Sequence, residues 1–275
     1  MEQIEINGVQ LGYLLESGEK EETMVFLNGI AANYLIWSSM AKFFKQMGYH
    51  VLLHDFRGQL FSSKPKEEYS YKQHADDLNK LVDHFDLKKI HFVATSYGGL
   101  VAQQYLIDYP ENVSSLTLID SLSEMDATMR FRSESSGHRI LQAKTGDREK
   151  YYQFVFLSIY GDKYISENYD QLLEMAKKGS FIPDDYFDSM HRLYQNFVKN
   201  AYYTDQLDKI KVPTLIIHGE EDQIVHRRCA EILNEKIENS EFFMVPYAGH
   251  VPFIEFPGLV NSAVLGFVKK QELSE

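Results

Sequence analysis

The sequence predicts an α/β protein: a mostly parallel sheet with helices on both faces and a helical insertion within it. Three observations predict this. Between residues 23 and 121, short apolar runs of strand length alternate with segments whose apolar residues recur at helical spacing. From about residue 122 to 207 the chain reads as helical and rich in aromatic residues, with no run suited to a buried strand. The alternation then resumes at residue 212. No repeat and no low-complexity linker separates these parts, so 122–207 reads as an insertion into one core domain made of 1–121 and 208–275.

The elements follow in order. "QIEI" and "VQLGYLLES" alternate around Asn7-Gly8, a dipeptide that suits a tight hairpin because both residues tolerate positive φ. "TMVFLN" (23–28) is apolar almost throughout, as a strand covered on both faces must be. "IWSSMAKFFKQMG" (36–48) has helical spacing and stops at Gly48, a residue suited to a left-handed C-terminal cap. A strand at 49–55, a helix at 71–86, a strand at 89–95, a helix at 97–110 closed by Pro110, and a strand at 113–121 come next. Beyond the insertion lie a strand at 212–219, a helix near 227–237, a strand at 240–246 and a last helix from about 259 to 270.

Composition narrows the function classes. With 275 residues, 44% hydrophobic and 25% charged, the chain can bury a sizeable core. A net charge of -12 disfavours nucleic acid and anionic membranes as partners. Cys229 is the single cysteine, so no internal disulfide is expected. The N-terminal segment has neither the basic nor the apolar stretch of a leader, and no apolar run approaches the ~18 residues that span a bilayer. These features predict a cytoplasmic protein without membrane insertion. No metal-ligand spacing, P-loop or G-x-G-x-x-G is present, so neither a metal nor a cofactor is expected.

The chemistry centres on Ala94-Thr95-Ser96-Tyr97-Gly98-Gly99, at the junction of a strand and a helix. Ser96 there is either the cap of the following helix or a nucleophile on a strained turn. Such a turn demands small residues two positions before and after the serine, here Ala94 and Gly98. A serine hydroxyl is nearly inert at neutral pH and needs a base, which in turn needs an orienting acid. Asp222, in "LIIHGEEDQIV", and His250, in "MVPYAGHVPFIEFP", both follow predicted strands and complete the order Ser, Asp, His. Glu221 and Asp120 are alternative acids at this level. Acyl chemistry also needs two N–H donors aimed at the developing oxyanion. Tyr97, after the serine, offers one, and Ile30, in the loop "NGI" that follows the strand at 23–28, offers the other.

Over nearly its whole length the chain resembles the α/β-hydrolase fold family. "FLNGI" resembles the family's oxyanion loop, "HDFRGQLFSS" its D-x-R-G-x-G-x-S segment, and "VATSYGGLVAQQYLIDYP" its nucleophile elbow and helix. "LIIHGEEDQIV" and "VPYAGHVPFIEFP" resemble its acid and histidine loops. The resemblance implies an eight-stranded, mostly parallel sheet with a helical lid between strands 6 and 7. It implies Ser96 as nucleophile, Asp222 as acid, His250 as base, and Ile30 with Tyr97 as oxyanion donors. Three departures stand out: Asn28-Gly29 replaces the usual His-Gly, Gln59-Leu60-Phe61 replaces a glycine-containing stretch, and Ala94 replaces the elbow's first glycine. The Asn-Gly loop with a serine-aromatic-Gly-Gly elbow is also similar, over a short span, to synthases that join 3-hydroxyacyl chains in rhamnolipid formation.

The expected activity is serine-dependent cleavage of an ester, lactone or thioester of a small to medium hydrophobic acyl compound through an acyl-enzyme. Asn28, Gly29, Trp37, Phe61, Phe154, Tyr160 and Phe253 are the candidate pocket residues. Acyl transfer, cofactor-free haloperoxidase chemistry or C–C hydrolysis on the same residues is the second reading, and ligand sensing in signalling the third.

Overall fold

A computed structural model of the protein describes residues 2–179 and 181–273. The chain opens with β1 (Glu2–Ile6) and β2 (Val9–Glu16), a hairpin turning at Asn7 and Gly8, both with positive φ. Then come β3 (Thr23–Leu27), α1 (Ser38–Gln46), β4 (His50–His54), α2 (Tyr71–His84), β5 (Ile90–Thr95), α3 (Tyr97–Asp108) and β6 (Val113–Ile119). Five helices follow: α4 (Ala127–Thr145), α5 (Arg148–Ile159), α6 (Asp162–Glu167), α7 (Tyr169–Gly179) and α8 (Asp184–Asn200). The chain closes with β7 (Thr214–Gly219), α9 (Arg227–Lys236), β8 (Ser240–Val245), α10 (Pro252–Glu255) and α11 (Pro257–Glu272).

Two boundaries differ from expectation for local reasons. The helix read at 36–48 is split, because Asn33 accepts a hydrogen bond from Leu35 N and starts a 3-10 turn, Tyr34–Trp37, ahead of α1. The last helix starts earlier, at Pro257, whose fixed φ suits a first helical turn while its ring bars Phe256 from helical geometry.

The eight strands form one sheet in the order β1-β2-β4-β3-β5-β6-β7-β8. β2 runs antiparallel to β1 and β4, and all remaining pairs are parallel. β3 is buried at every position, as its apolar run required. Met24 and Phe26 pack with Trp37, Phe44, Val264 and Phe267 on one face, while Val25 and Leu27 join Leu78, Leu100 and Leu233 on the other. The strands that follow β3 in the chain, β4 and β5, lie on opposite sides of it. The winding therefore reverses at β3, and the crevice beyond its C-terminal end is where open α/β sheets bind ligands.

The insertion α4–α8 leaves and rejoins the sheet through a narrow neck. Glu124 and Tyr202 form an isolated bridge, and Tyr203 N donates to Ser123 O at 2.7 Å. Ile140, Ala143, Tyr186, Phe187 and Met190 give the insertion its own small core. No helix among the described residues is long and apolar enough to cross a membrane.

Candidate active site

Ser96 joins β5 to α3 with φ 50° and ψ -117°. A residue with a Cβ occupies that region only when its surroundings hold it there. They do. Ser96 N donates to Ile119 O at 3.0 Å, and Ser96 O accepts from Gly99 N and from Ser121 Oγ, both at 3.0 Å. A Cβ on Gly98 would lie 2.4 Å from Leu27 O, and one on Gly99 only 2.0 Å from Ser121 Oγ. Helix α3 is thus pressed onto the end of β3 with no room for a methyl at either position. Ala94 sits within β5, fully buried and in register with Leu27 and Leu118, where its methyl is accommodated. The capping alternative is not realised, since the Ser96 side chain makes no cap hydrogen bond. Its hydroxyl makes no hydrogen bond to His250 or to any other described residue.

The loop after β3 lies beside this serine. A methyl built on Gly29 would stand 3.7 Å from Ser96 Cβ. The loop is held from below by a buried amide network. Asn28 Nδ2 donates to His54 O and Asp55 Oδ1 at 3.0 Å and to Gln59 Oε1 at 2.9 Å. Asn28 Oδ1 accepts from Trp37 Nε1 at 2.9 Å. Gln59 Nε2 donates to Gly29 O at 2.8 Å. Asp55 is completely buried, and burial pushes its carboxyl up to about 7 against the opposing donors Phe61 N, Tyr34 N and Asn28. The Tyr97 phenol points away from the loop, accepting from Asn196 Nδ2 of α8 at 2.7 Å and paired with His74 Nε2 at 2.9 Å.

Several expected pocket residues fall elsewhere. Asn28 and Trp37 have no surface that a water molecule could touch, whether from outside or from an internal cavity, so they support the loop and do not line a pocket. Phe253, also buried, stacks on Trp37 at 4.2 Å and belongs to the same packing. Phe154 is 45% exposed on α5, under the guanidinium of Arg139, and does not face an enclosed pocket. Gly29 and Ile30 lie in the loop itself, Phe61 is half-buried against Tyr34, and Tyr160 is buried and stacked on Tyr164. A surface cavity of about 550 Å³ opens between Asn7, Arg57, Asp76 and Tyr109 and shares no residue with the site.

Beyond β7 and β8 the structure brings two predicted residues together. Asp222 Oδ2 accepts from His250 Nδ1 at 2.8 Å, and Asp222 Oδ1 accepts from Ile224 N and Val225 N at 2.7 and 3.1 Å. Burial alone would push the Asp222 carboxyl up, but His250 and its hydrogen bond outweigh burial and hold it below the usual range. Burial likewise opposes the imidazolium, and Asp222 outweighs it, so His250 titrates above an ordinary histidine. Since Nδ1 carries the proton shared with Asp222, Nε2 is left with the lone pair.

Asp120, the alternative acid, ends β6 with φ 45° and is fully buried. Its Oδ1 accepts from Gly219 N at 2.8 Å and lies 2.9 Å from His218 Nδ1, off the line of a hydrogen bond. Burial, and next the Asp222 charge, push its carboxyl up to about 6. Asp120, His218 and Asp222 each bring one polar atom within 4.8 Å of the others, so two carboxyls and an imidazole meet at the ends of β6 and β7. Glu221 turns the other way, accepting from Asp162 N at 2.9 Å. Sequence reasoning did not single out Gln59, Ser121 or Glu255 as parts of the site. Each acts on a segment distant in the chain; the sequence marked Gln59 only as a departure from the family's pattern, and Ser121 and Glu255 not at all.

Comparison with known proteins agrees with the fold. A profile of the alpha/beta hydrolase fold matches residues 22–257. The proline iminopeptidase PfmaB of Pestalotiopsis fici is 27% identical over 98% of this chain and all of that protein. The 3-oxoadipate enol-lactonase 2 of Acinetobacter baylyi is 23% identical over 95% of this chain and 94% of its own. Lipases are also among the curated relatives. Among solved structures, MGS-M2, an alpha/beta hydrolase enzyme from a Medee basin deep-sea metagenome library, superposes with a TM-score of 0.89. It is 24% identical over 97% of this chain and 96% of its own.

Proposed function

Because the chain belongs to the alpha/beta hydrolase fold family and is a hydrolase, we propose that it cleaves esters or lactones of small to medium hydrophobic acyl groups through a Ser96 acyl-enzyme. The observation that carries this reading is the buried 2.8 Å Asp222–His250 pair, on the same sheet edge as the strained Ser96 turn.

The steps follow from the parts. Ser96 Oγ attacks the carbonyl carbon while His250 Nε2 takes its proton, and the imidazolium so formed is stabilised by Asp222. The N–H groups of Ile30 and Tyr97 receive the oxyanion. His250 returns the proton to the departing alkoxide, then takes one from water as that water attacks the acyl carbon. Ser96 leaves as the second product forms and regains its proton. The missing Ser96–His250 hydrogen bond is compatible with this, since such bonds in unliganded sites are often long and tighten on binding.

Ser96 is 5% exposed and His250 7%, and the α4–α8 insertion, whose Ile159 O accepts from His250 N, serves as the lid of this site. A site this little exposed favours a compact apolar acyl group over a polar or polymeric one. The test is a panel of p-nitrophenyl esters of graded chain length, simple lactones and proline p-nitroanilide, with Ser96→Ala alongside. Hydrolysis by the native protein and its loss in a folded Ser96→Ala supports the reading. Equal rates in the two proteins refute it.

A further inference from the structure

The α5–α6 joint of the insertion rests directly on the loop that carries His250. His250 N donates to Ile159 O at 2.7 Å. Glu255 of α10 spans the two segments, Oε1 accepting from Gly249 N at 2.9 Å and Oε2 from Gly161 N at 2.8 Å. Glu221 adds a parallel tie, its Oε2 accepting from Asp162 N while its own N–H donates to Ala248 O at 2.8 Å. The segments meet backbone to backbone. A Cβ on Gly249 would stand 2.6 Å from Ile159 O, and one on Gly161 2.4 Å from Tyr247 O.

We propose that Glu255 is a positioning residue for His250: its carboxylate joins the α5–α6 joint to the His250 loop, so that the imidazole keeps its place at Asp222 only while the insertion is seated. This rests on reading His250 as the base. Only a carboxylate meets the need, because it presents two acceptors and no donor to two N–H groups. A glutamine keeps one acceptor and turns its NH2 against the other N–H. Burial pushes the Glu255 carboxyl above its ordinary range, opposed by the donors Gly161 N, Gly249 N and Val251 N. The charge is therefore held at a cost that the two bridging bonds offset in part. The lid then does not swing independently of the base. Unseating this joint displaces the proton acceptor together with the cover.

The test compares native protein with Glu255→Gln, and with Gly161→Ala, which introduces a methyl on the insertion side of the same contact. Three quantities are read: amide hydrogen exchange at Gly161, Gly249 and His250; the rate of fluorophosphonate labelling at Ser96; and kcat and KM on the best ester. The expected result is faster exchange at all three amides together. Labelling and kcat should fall about 10- to 100-fold, the scale of an ångström-sized misplacement of a reacting group, with little change in KM. The double variant should lose no more than the worse single one. Unchanged exchange at Gly161, or native kcat in Glu255→Gln, overturns the proposal. A residue that merely stabilises the fold would lower the melting point without this split of kcat from KM. Where Glu255→Gln does not fold, Gly161→Ala alone decides by the same readouts. If the native protein resists the probe, the Ser96 reading fails. Exchange then decides whether Glu255 joins the segments: joint loss of protection supports the tie, and loss at one segment only refutes it.

Discussion

Asp222→Asn is the sharpest perturbation of the proposed base. In the native site the carboxylate serves three donors: Ile224 N and Val225 N on Oδ1, His250 Nδ1 on Oδ2. Asparagine can keep its carbonyl oxygen toward the two backbone N–H groups. Its NH2 then faces Nδ1, which must become an acceptor, and the imidazole proton moves to Nε2. That is the atom whose lone pair has to take the Ser96 proton. The opposite rotamer is worse, since it sets an NH2 against two N–H donors where the side chain has no exposed surface. A tautomer error of this kind costs about 10,000-fold in kcat, or about 5.5 kcal/mol at 1.36 kcal/mol per tenfold. Fold stability should change far less, because two of three hydrogen bonds persist and a buried charge is removed. Ester hydrolysis under saturating substrate and a circular-dichroism melt measure the two effects separately. An Asn variant that keeps more than a tenth of native kcat refutes the assignment. Asp120→Asn and Glu221→Gln, made in parallel, would then locate the acid.

Further outcomes follow from the same geometry. The competent form of His250 is neutral, and Asp222 holds its pKa above the ordinary value near ~6.5 despite burial. Thus kcat/KM should rise with pH and level off only above that raised value; an acid limb at or below the ordinary value contradicts the pairing. By the same sign, protonated His250 stabilises the fold at pH below its unfolded pKa, and this contribution disappears as pH rises through the folded one. Gly98→Ala places a methyl 2.4 Å from Leu27 O, so α3 must lift from β3; a loss of about 1–3 kcal/mol together with most of the activity is expected by denaturant melt and ester assay. Asn28→Ala strands the Trp37 N–H, while Gln59 Oε1 keeps Phe56 N; one buried unsatisfied donor costs about 1–3 kcal/mol, which a lowered melting temperature would register. The buried Cys229 thiol is pushed up to about 12, so Ellman's reagent should detect none in the native protein and one per chain after unfolding.

Much of the core was legible because its signals are local. β3 had to be covered on both faces because nearly every residue in it is apolar, and the Asn7-Gly8 turn fixed the first hairpin. Ser96, Asp222 and His250 could be named because each stands at a strand end beside residues that a sharp turn requires. Aromatic side chains were less informative. Trp37, Phe253 and Phe154 share a residue class, yet the first two stack beneath the loop and the third lies on the outer surface of α5. Period and composition say that a ring is buried somewhere, not on which side of the sheet. Glu255 was illegible for another reason, since its meaning lies in a partner 94 residues earlier.

The departures from the family pattern show how distance along the chain hides function. Taken singly, Asn28 in place of histidine and Gln59 in place of a smaller residue each weaken the resemblance. In the fold they are one substitution, because the Asn28 amide donates to Gln59 Oε1 and Gln59 Nε2 donates to Gly29 O. Asn28 offers a substrate no free N–H, since its two protons are shared among His54 O, Asp55 Oδ1 and Gln59 Oε1, and its oxygen, bonded to the Trp37 N–H, has no exposed surface. Its role is therefore to hold the Gly29-Ile30 backbone against Ser96, and selection between acyl groups must come from elsewhere. Tyr160 belongs to the α5–α6 joint that Glu255 ties to the His250 loop. Loop support and base alignment thus rest on separate contacts, and a change at residues 159–162 should lower turnover while leaving the Asn28–Gln59 network in place.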